Sequence, residues 1–490
     1  MTQETIYTPI DPALLEEYNR TRSLGPKPLF CYVPFNNIFF SFSGKVISCP
    51  YNQHVVLGKY PEQSVKEIWY SEEGGKLRAH LEHNDLSNGC KHCQHYLEKK
   101  KFSGLKPLVF DQYSEYAPEQ MPKVLEFSLE NTCNLECIMC SGEVSSSIRK
   151  NRDKLPAIQS PYDDEFVRQL EEFIPPAHEA KFYGGEPFMT PIYFSIWDKI
   201  YELNKGMKLF TITNGTKLNT RIKEILSRQK FEIAVSIDGY TADTYHRIRK
   251  NADFDTVMKN TEYFNDYCIN NGYQLTISFT AMRENWHELP QMVKLCNKLK
   301  AHIYISYVHK PFHLALWNLP SHKLKEMIDT LTDVSLPIDS FLFNHKKFNK
   351  QAYADFITYL QGCYEKNLQE ELSKQKQFSR PENETPVIAS EAYEAPQHDI
   401  KKIIATIEQI PNAIEVFEAR AGDYKNKIEA EMFERFYNKV HSLYQASGID
   451  ENIFYTLLTI SPIEVIVEHV TAFPESELLH LVQSKAREVK

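Results

Sequence analysis

Three cysteines within a single short loop constrain this chain more than any other feature. The loop is Asn131-Thr132-Cys133-Asn134-Leu135-Glu136-Cys137-Ile138-Met139-Cys140, a C-x3-C-x2-C spacing. It follows directly on the strand-like run Val124-Leu125-Glu126-Phe127-Ser128-Leu129. Three thiolates on so tight a loop can hold three irons of a 4Fe–4S cube and leave the fourth iron without a protein ligand. An open coordination position lets a metal centre take a substrate or cofactor, as it does in catalytic zinc sites. A cluster that only carries electrons normally has four cysteines, so the missing fourth is informative. The competing reading of the three residues alone is a structural zinc or disulfide site.

The surrounding sequence predicts an α/β fold. Strand-like segments occur at Val124–Leu129, Glu179–Tyr183, Lys208–Thr213, Phe231–Ile237, Gln274–Thr280 and His302–Val308, each rich in β-branched or aromatic residues. Helical stretches lie between them. Tyr193–Leu203 and Leu289–Leu299 carry apolar residues at 3–4 spacing. Six strand–helix alternations predict a parallel sheet with right-handed crossovers. In barrels of this kind the chemistry sits at the C-terminal ends of the strands. The unusual residues fall there: the cysteine loop, Gly184-Gly185-Glu186-Pro187, Thr213-Asn214-Gly215 and Ser236-Ile237-Asp238-Gly239.

The cysteine loop resembles the cluster-binding loop of the radical S-adenosylmethionine (radical SAM) superfamily. The resemblance implies a partial (β/α)6 barrel and a 4Fe–4S cluster on Cys133, Cys137 and Cys140. It further implies that SAM chelates the open iron and is cleaved reductively to a 5′-deoxyadenosyl radical, which abstracts hydrogen from a substrate. Met139 stands where many members have an aromatic residue, and its polarizable side chain suits packing on adenine. The Gly184–Pro187 tetrad resembles the family's GGEP motif. There Gly184 and Gly185 allow close backbone approach, and Glu186 is expected to accept hydrogen bonds from the SAM ammonium. Ser236 resembles a serine that contacts the SAM carboxylate or ribose. Arg247 and Arg249 both stand where an arginine facing that carboxylate is expected, and either also suits an ordinary surface pair. Asp238 is expected only to shape its Asp-Gly loop. No catalytic acid, base or nucleophile is identifiable.

A second cysteine set lies upstream: Cys31, Cys49, Cys90 and Cys93. Between its two pairs run Leu57-Gly58 and Ser64-Val65-Lys66-Glu67-Ile68-Trp69. This stretch resembles the SPASM or twitch auxiliary-cluster module of radical SAM proteins, which implies a second, fully ligated 4Fe–4S cluster. In the family the module normally follows the barrel, whereas here it precedes it. Four cysteines also make a good zinc site, with His92 or His95 able to replace one ligand. Cys268, Cys296 and Cys363 lie in predicted helices and read as small buried apolar residues.

Composition excludes several classes. The 65 acidic and 56 basic residues give a net charge of −9, which argues against a nucleic-acid-binding surface. No apolar run is long enough to span a membrane. The polar stretch Met1–Arg22 does not read as a signal peptide. Ten cysteines without such a signal predict metal or redox chemistry in a reducing, cytoplasmic setting.

The expected organisation is an extension (1–25), an auxiliary-cluster module (26–118), the partial barrel (119–312) and a mainly helical C-terminal region (313–490). Helices are expected there at Leu324–Leu331, Tyr353–Leu368, Ile403–Ile410, Lys425–Ser447 and Ile453–Leu458. Residues Glu371–Asp399, poor in apolar side chains, are expected to form a linker. The expected function is radical SAM chemistry on a peptide or protein, with a flavodoxin or ferredoxin as electron donor. The alternatives are the same chemistry on a sugar, nucleotide or other small metabolite, or a non-catalytic iron–sulfur redox or regulatory protein.

Overall fold

The structure, a computed structural model, describes residues 6–334 apart from 103, 118 and 119. It also describes 344–378, 413–425, 430–451 and separate residues between 454 and 483. The chain divides into two compact units, 1–306 with 333–356, and 307–332 with 357–490. Among the described residues no helix is long and apolar enough to cross a membrane.

The first unit is built on one sheet. Its strands are β1 (Asn37–Ser41), β2 (Lys45–Cys49), β3 (Asn52–Lys59), β4 (Val124–Ser128), β5 (Glu179–Phe182), β6 (Lys208–Thr213), β7 (Phe231–Ser236), β8 (Thr276–Ala281) and β9 (His302–Tyr307). Their order is β3-β2-β1-β4-β5-β6-β7-β8-β9. Strands β4 to β8 pair in parallel, and the sheet stays open at β3 and β9. This is the expected partial barrel. All six expected strands form, with ends displaced by no more than two residues.

Side-chain alternation gives the sheet two unlike faces. Phe127, Phe182, Leu209, Ile233, Val235, Ile277 and Phe279 are buried on the outer face. The helix Pro191–Leu203 buries Tyr193, Ile196, Trp197 and Ile200. Its Trp197 ring lies 5.3 Å from Phe182 and 5.4 Å from Phe231. Each fully buried large apolar side chain contributes about 1.5–3 kcal/mol. The inner face is polar and partly open, with Ser128, Lys181, Phe210, Ser278, Thr280 and Ser306 only half-buried.

The upstream segment adds strands to this same sheet. β1 pairs in parallel with β4, from Asn37 opposite Val124 to Ser41 opposite Ser128, and antiparallel with β2. The Leu57-Gly58 and Ile68-Trp69 motifs then have a packing explanation. Any Cβ at Gly58 would lie 2.8 Å from Ile68 Cγ1, so glycine lets the helix Val65–Trp69 sit close on β3. Ser64 and Glu67 form a capping box at its start. Trp69 Nε1 donates to the Gln120 carbonyl at 3.0 Å, and the Arg78 guanidinium lies 4.4 Å from its ring.

Helices Ser321–Thr332, Asn344–Phe378, Ala413–Lys425 and Ala430–Ser447 follow the barrel. The linker expected at Glu371–Asp399 is corrected over its first part, because Glu371–Phe378 continues the long helix. That stretch is polar but made of strong helix formers, and Glu371 accepts from the backbone N–H of Ser321 at 2.8 Å. The rest of the expected linker and the Ile403–Ile410 helix lie outside the described residues. The Ile453–Leu458 helix is described only at Phe454, Tyr455 and Leu458. Cys268 and Cys296 are fully buried as expected, whereas Cys363 is half-exposed.

Deleting residues 37–59 should turn β4 into an edge strand with unpaired backbone groups beside an apolar face. The variant should be insoluble or oligomeric by gel filtration. A soluble monomer with native-like circular dichroism would contradict the continuous sheet.

Candidate functional site

The cysteine loop leaves the C-terminal end of β4 and is held from both sides. On one side, Cys133 N donates to Ser146 Oγ at 3.1 Å, and Ser145 Oγ to the Leu135 carbonyl at 2.7 Å. On the other, the backbone N–H groups of Glu136 and Ile138 donate to the carbonyls of Lys250 and Ile248 at 3.1 and 2.9 Å. A turn closed by Cys140 N to the Cys137 carbonyl at 3.1 Å puts Met139 between the last two cysteines, half-exposed. The donors around the sulfurs suit thiolates. Leu135 N lies 3.5 Å and Asn214 Nδ2 3.9 Å from Cys133 Sγ, and Arg249 Nη1 is 4.0 Å from Cys137 Sγ. Burial raises the Cys133 pKa. The neighbouring Cys137 and the Arg249 charge lower the Cys140 pKa. A site that gathers three sulfurs and one buried cation fits an anionic, thiolate-ligated cluster.

The glycine pair after β5 packs directly on this loop. Gly184 and Gly185 have φ of +79° and +48°, the region that favours glycine. A Cβ at Gly184 would lie 2.7 Å from Ser128 Oγ, and one at Gly185 would collide with the Thr132 carbonyl oxygen. Glu186 requires a correction. Its carboxylate does not open toward a ligand ammonium: the residue is fully buried. It accepts from Phe188 N at 3.0 Å, Thr213 Oγ1 at 2.8 Å and Asn214 N at 2.6 Å. Burial raises its pKa, opposed by these donors. The 3₁₀ turn at Pro187–Met189 and the end of β6 present N–H and O–H groups that would otherwise stay unpaired, and Glu186 satisfies them. It is a positioning residue. Thr213 and Asn214, not singled out individually from the sequence, belong to the same tie. Asn214 Nδ2 also donates to Asn134 Oδ1 at 3.0 Å, joining β6 to the cysteine loop.

The two arginines separate cleanly. Arg249 is buried, and its Nη2 lies 2.7 Å from Asp238 Oδ2. Burial works against its charge, but Asp238 and the sulfurs of Cys137 and Cys140 outweigh that, so it stays protonated. Arg247 is a surface residue paired at 2.6 Å with Asp243 one turn away, which corrects its placement in the site. Asp238 does more than shape a turn. It is fully buried, accepts from Thr280 N at 2.6 Å and fixes Arg249. Ser236 ends β7, half-buried, opposite Ser278.

The upstream cysteines come together at the other end of β4. Cys31 precedes a helical turn, Cys49 ends β2, Cys90 caps the helix Lys91–Glu98 and Cys93 lies in its first turn. All four line one cavity, with Val33, Leu77 and Leu81 among its walls. Burial pushes Cys90 and Cys93 up to about 12, and the neighbouring cysteines add to it. Four cysteines gathered in one largely apolar cavity fit a fully ligated cluster. Among the described residues no three His, Cys, Asp or Glu side chains meet around a single ion-sized point. His92 and His95 are exposed; His92 stacks on Tyr51 with centroids 4.6 Å apart and lies tilted against Tyr96 at 4.7 Å, and neither histidine lines the cavity. Asn37 Nδ2 donates to the Ser48 carbonyl at 2.7 Å, and Asn37 pairs with Val124. Cys49 therefore lies level with the start of β4. At about 3.3 Å per residue, the cysteine-loop end of that strand is about 13 Å further along.

Residues 128–296 match the model of the radical SAM superfamily, and residues 31–94 that of an iron–sulfur cluster-binding domain, SPASM. The AdoMet-dependent heme synthase of Methanosarcina barkeri is 27% identical over 37% of this chain and 49% of its own length. A GTP 3′,8-cyclase of Clostridium perfringens is 26% identical over 36% of this chain and 51% of its own. The chain thus spans about half the length of the curated relatives it matches. A crystal structure of Streptococcus suis SuiB bound to S-adenosylmethionine aligns over 53% of this chain and 56% of that one, at 17% identity and a TM-score of 0.33.

Glu186→Ala should strip partners from three buried donors, at about 1–3 kcal/mol each. Apo-protein thermal stability and cluster iron content should fall together. Normal stability with weakened SAM binding alone would restore the direct-contact role. Arg249→Met should leave Asp238 buried without a counter-charge and destabilise the protein by about 3–5 kcal/mol, whereas Arg247→Ala should leave the unfolding midpoint unchanged.

Proposed function

From a chain that belongs to the radical SAM superfamily, with a SPASM domain ahead of its radical SAM domain, we propose an enzyme that initiates chemistry by abstracting hydrogen from a peptide or protein. With a 4Fe–4S cluster on Cys133, Cys137 and Cys140 and SAM on its open iron, the site supplies reductive SAM cleavage and a 5′-deoxyadenosyl radical. The chain's own residues bind and orient. Met139 packs on adenine, the backbone of Gly184 and Gly185 borders the amino end of SAM, and Ser236 and Arg249 serve its carboxylate side. Glu186, Asn214 and Asp238 hold these elements in register. The observation that carries the reading is convergence: the segments that follow β5, β6 and β7 meet the cysteine loop that follows β4 through Thr132–Gly185, Cys133–Asn214 and Cys137–Arg249. A flavodoxin or ferredoxin is the proposed electron donor.

The inner wall favours a peptide over a nucleotide. Lys181 is paired with Glu179 at 3.2 Å, Lys106 with Glu126 at 3.1 Å and Arg249 with Asp238. A polyphosphate needs cations to spare. The wall instead offers rings, Tyr183 stacked on Phe39 and tilted against Phe210, and hydroxyls such as Thr280 and Ser306, 3.1 Å apart. Rings and hydroxyls suit side chains of mixed polarity.

Reconstituted and reduced anaerobically, the protein should release 5′-deoxyadenosine, and the Cys133/Cys137/Cys140 triple alanine variant should not. Undiminished release by that variant would end the assignment. GTP should leave the rate of release unchanged; stimulation by GTP would favour the small-metabolite reading.

A further inference from the structure

A charge pair lies on the inner wall between the two cysteine sites. Glu126 occupies the middle of β4, one strand residue in from each end of its face, and is only 1% exposed. Lys106 reaches it at 3.1 Å from the start of the 3₁₀ segment Lys106–Tyr113, and the next residue, Pro107, lines the four-cysteine cavity. A buried carboxylate in the middle of a strand, partnered by a largely buried lysine, is costly. Apolar residues would fill the space at less cost, so the pair calls for a use. Its orientation suggests one. Lys106 is joined directly to Pro107 in the wall of the four-cysteine cavity, whereas Glu126 is carried on β4. The pair therefore turns its positive end to the auxiliary site. Its negative end lies on the wall side, where Glu126 is in register with Lys181 of β5 and Tyr183, just before the glycine pair, donates its N–H to the Phe127 carbonyl at 2.7 Å.

We propose that Lys106 and Glu126 are positioning residues that set the reduction potential of the auxiliary cluster and tie it electrostatically to the substrate wall. The proposal rests on the reading that Cys31, Cys49, Cys90 and Cys93 hold a 4Fe–4S cluster. Reduction adds negative charge to a cluster. A nearby ammonium stabilises the reduced state and raises the potential, and a nearby carboxylate lowers it. A substrate group that hydrogen-bonds to Tyr183, beside the buried Glu126, would alter that balance, so occupancy of the wall would be felt at the auxiliary site.

The test uses the full chain carrying the Cys133/Cys137/Cys140→Ala changes, so that only the auxiliary cluster remains. Its potential is measured by redox titration followed by electron paramagnetic resonance. Lys106→Met should make the potential more negative, Lys106→Arg should return it close to the parent value, and Glu126→Gln should make it more positive. Shifts of opposite sign mark a charge effect, since a packing defect has no reason to respect the sign of the lost charge. Unchanged potentials, or shifts of one sign in both variants, would overturn the proposal. If Lys106→Met fails to assemble a cluster, Glu126→Gln decides alone, and a potential that does not rise overturns it. Loss of the iron signal in the parent itself, with stoichiometric zinc instead, would refute the cluster reading beneath it.

Discussion

The parallel pairing of β1 with β4 is the contact on which both cysteine sites depend. It makes the upstream hairpin part of the barrel sheet instead of a module tethered to it. Because β4 carries the three-cysteine loop at one end and lies level with Cys49 at the other, a single strand fixes the separation of the two centres. Backbone hydrogen bonds are short-ranged and directional, so register sets this geometry with little freedom.

Around that strand, buried carboxylates act as ties. Glu186 joins the glycine loop to β6. Asp238 joins β8 to Arg249. Glu288 accepts from Tyr240 N at 2.6 Å and from the hydroxyls of Thr241 and Thr244 at 2.6 and 2.8 Å, fixing the loop after β7. A carboxylate has several acceptor positions and can collect N–H and O–H groups from different loops. Loops that approach a cofactor lack a sheet ladder of their own, and these side chains supply the missing partners. The same logic operates upstream, where the buried Arg22 donates to the carbonyls of Leu29 and Phe30 at 2.9 and 2.6 Å, just before Cys31.

The two faces of the sheet divide the work. Packing energy comes from the outer face, where rings such as Phe127, Phe182 and Trp197 are removed from water. The inner face carries paired charges, rings and hydroxyls that stay partly open. A barrel core filled with apolar side chains would be more stable and would have no room for a substrate.

Much of this was legible in the sequence because it depends on local chemistry. Period-two apolar runs determine strands, 3–4 spacing determines helices, and cysteine spacing determines which thiolates can share a metal centre. Gly184 and Gly185 were readable as points of close approach because only glycine tolerates such contacts. Residues whose meaning depends on a distant partner were not readable. Glu186 looked like a ligand contact until Thr213 and Asn214 occupied its oxygens. Arg247 and Arg249 were equivalent until the backbone ladder from Glu136 and Ile138 turned one of them toward Cys137. The polar run after Glu371 looked like a linker because few apolar residues mark it, yet its helix formers and the Ser321 contact carry the helix on. Lys106 and Glu126 are twenty residues apart with nothing local to join them. Sequence determined which groups could do chemistry; the pairing of strands far apart in the chain decided which of them meet, because a long-range contact leaves no periodic trace in either segment that makes it.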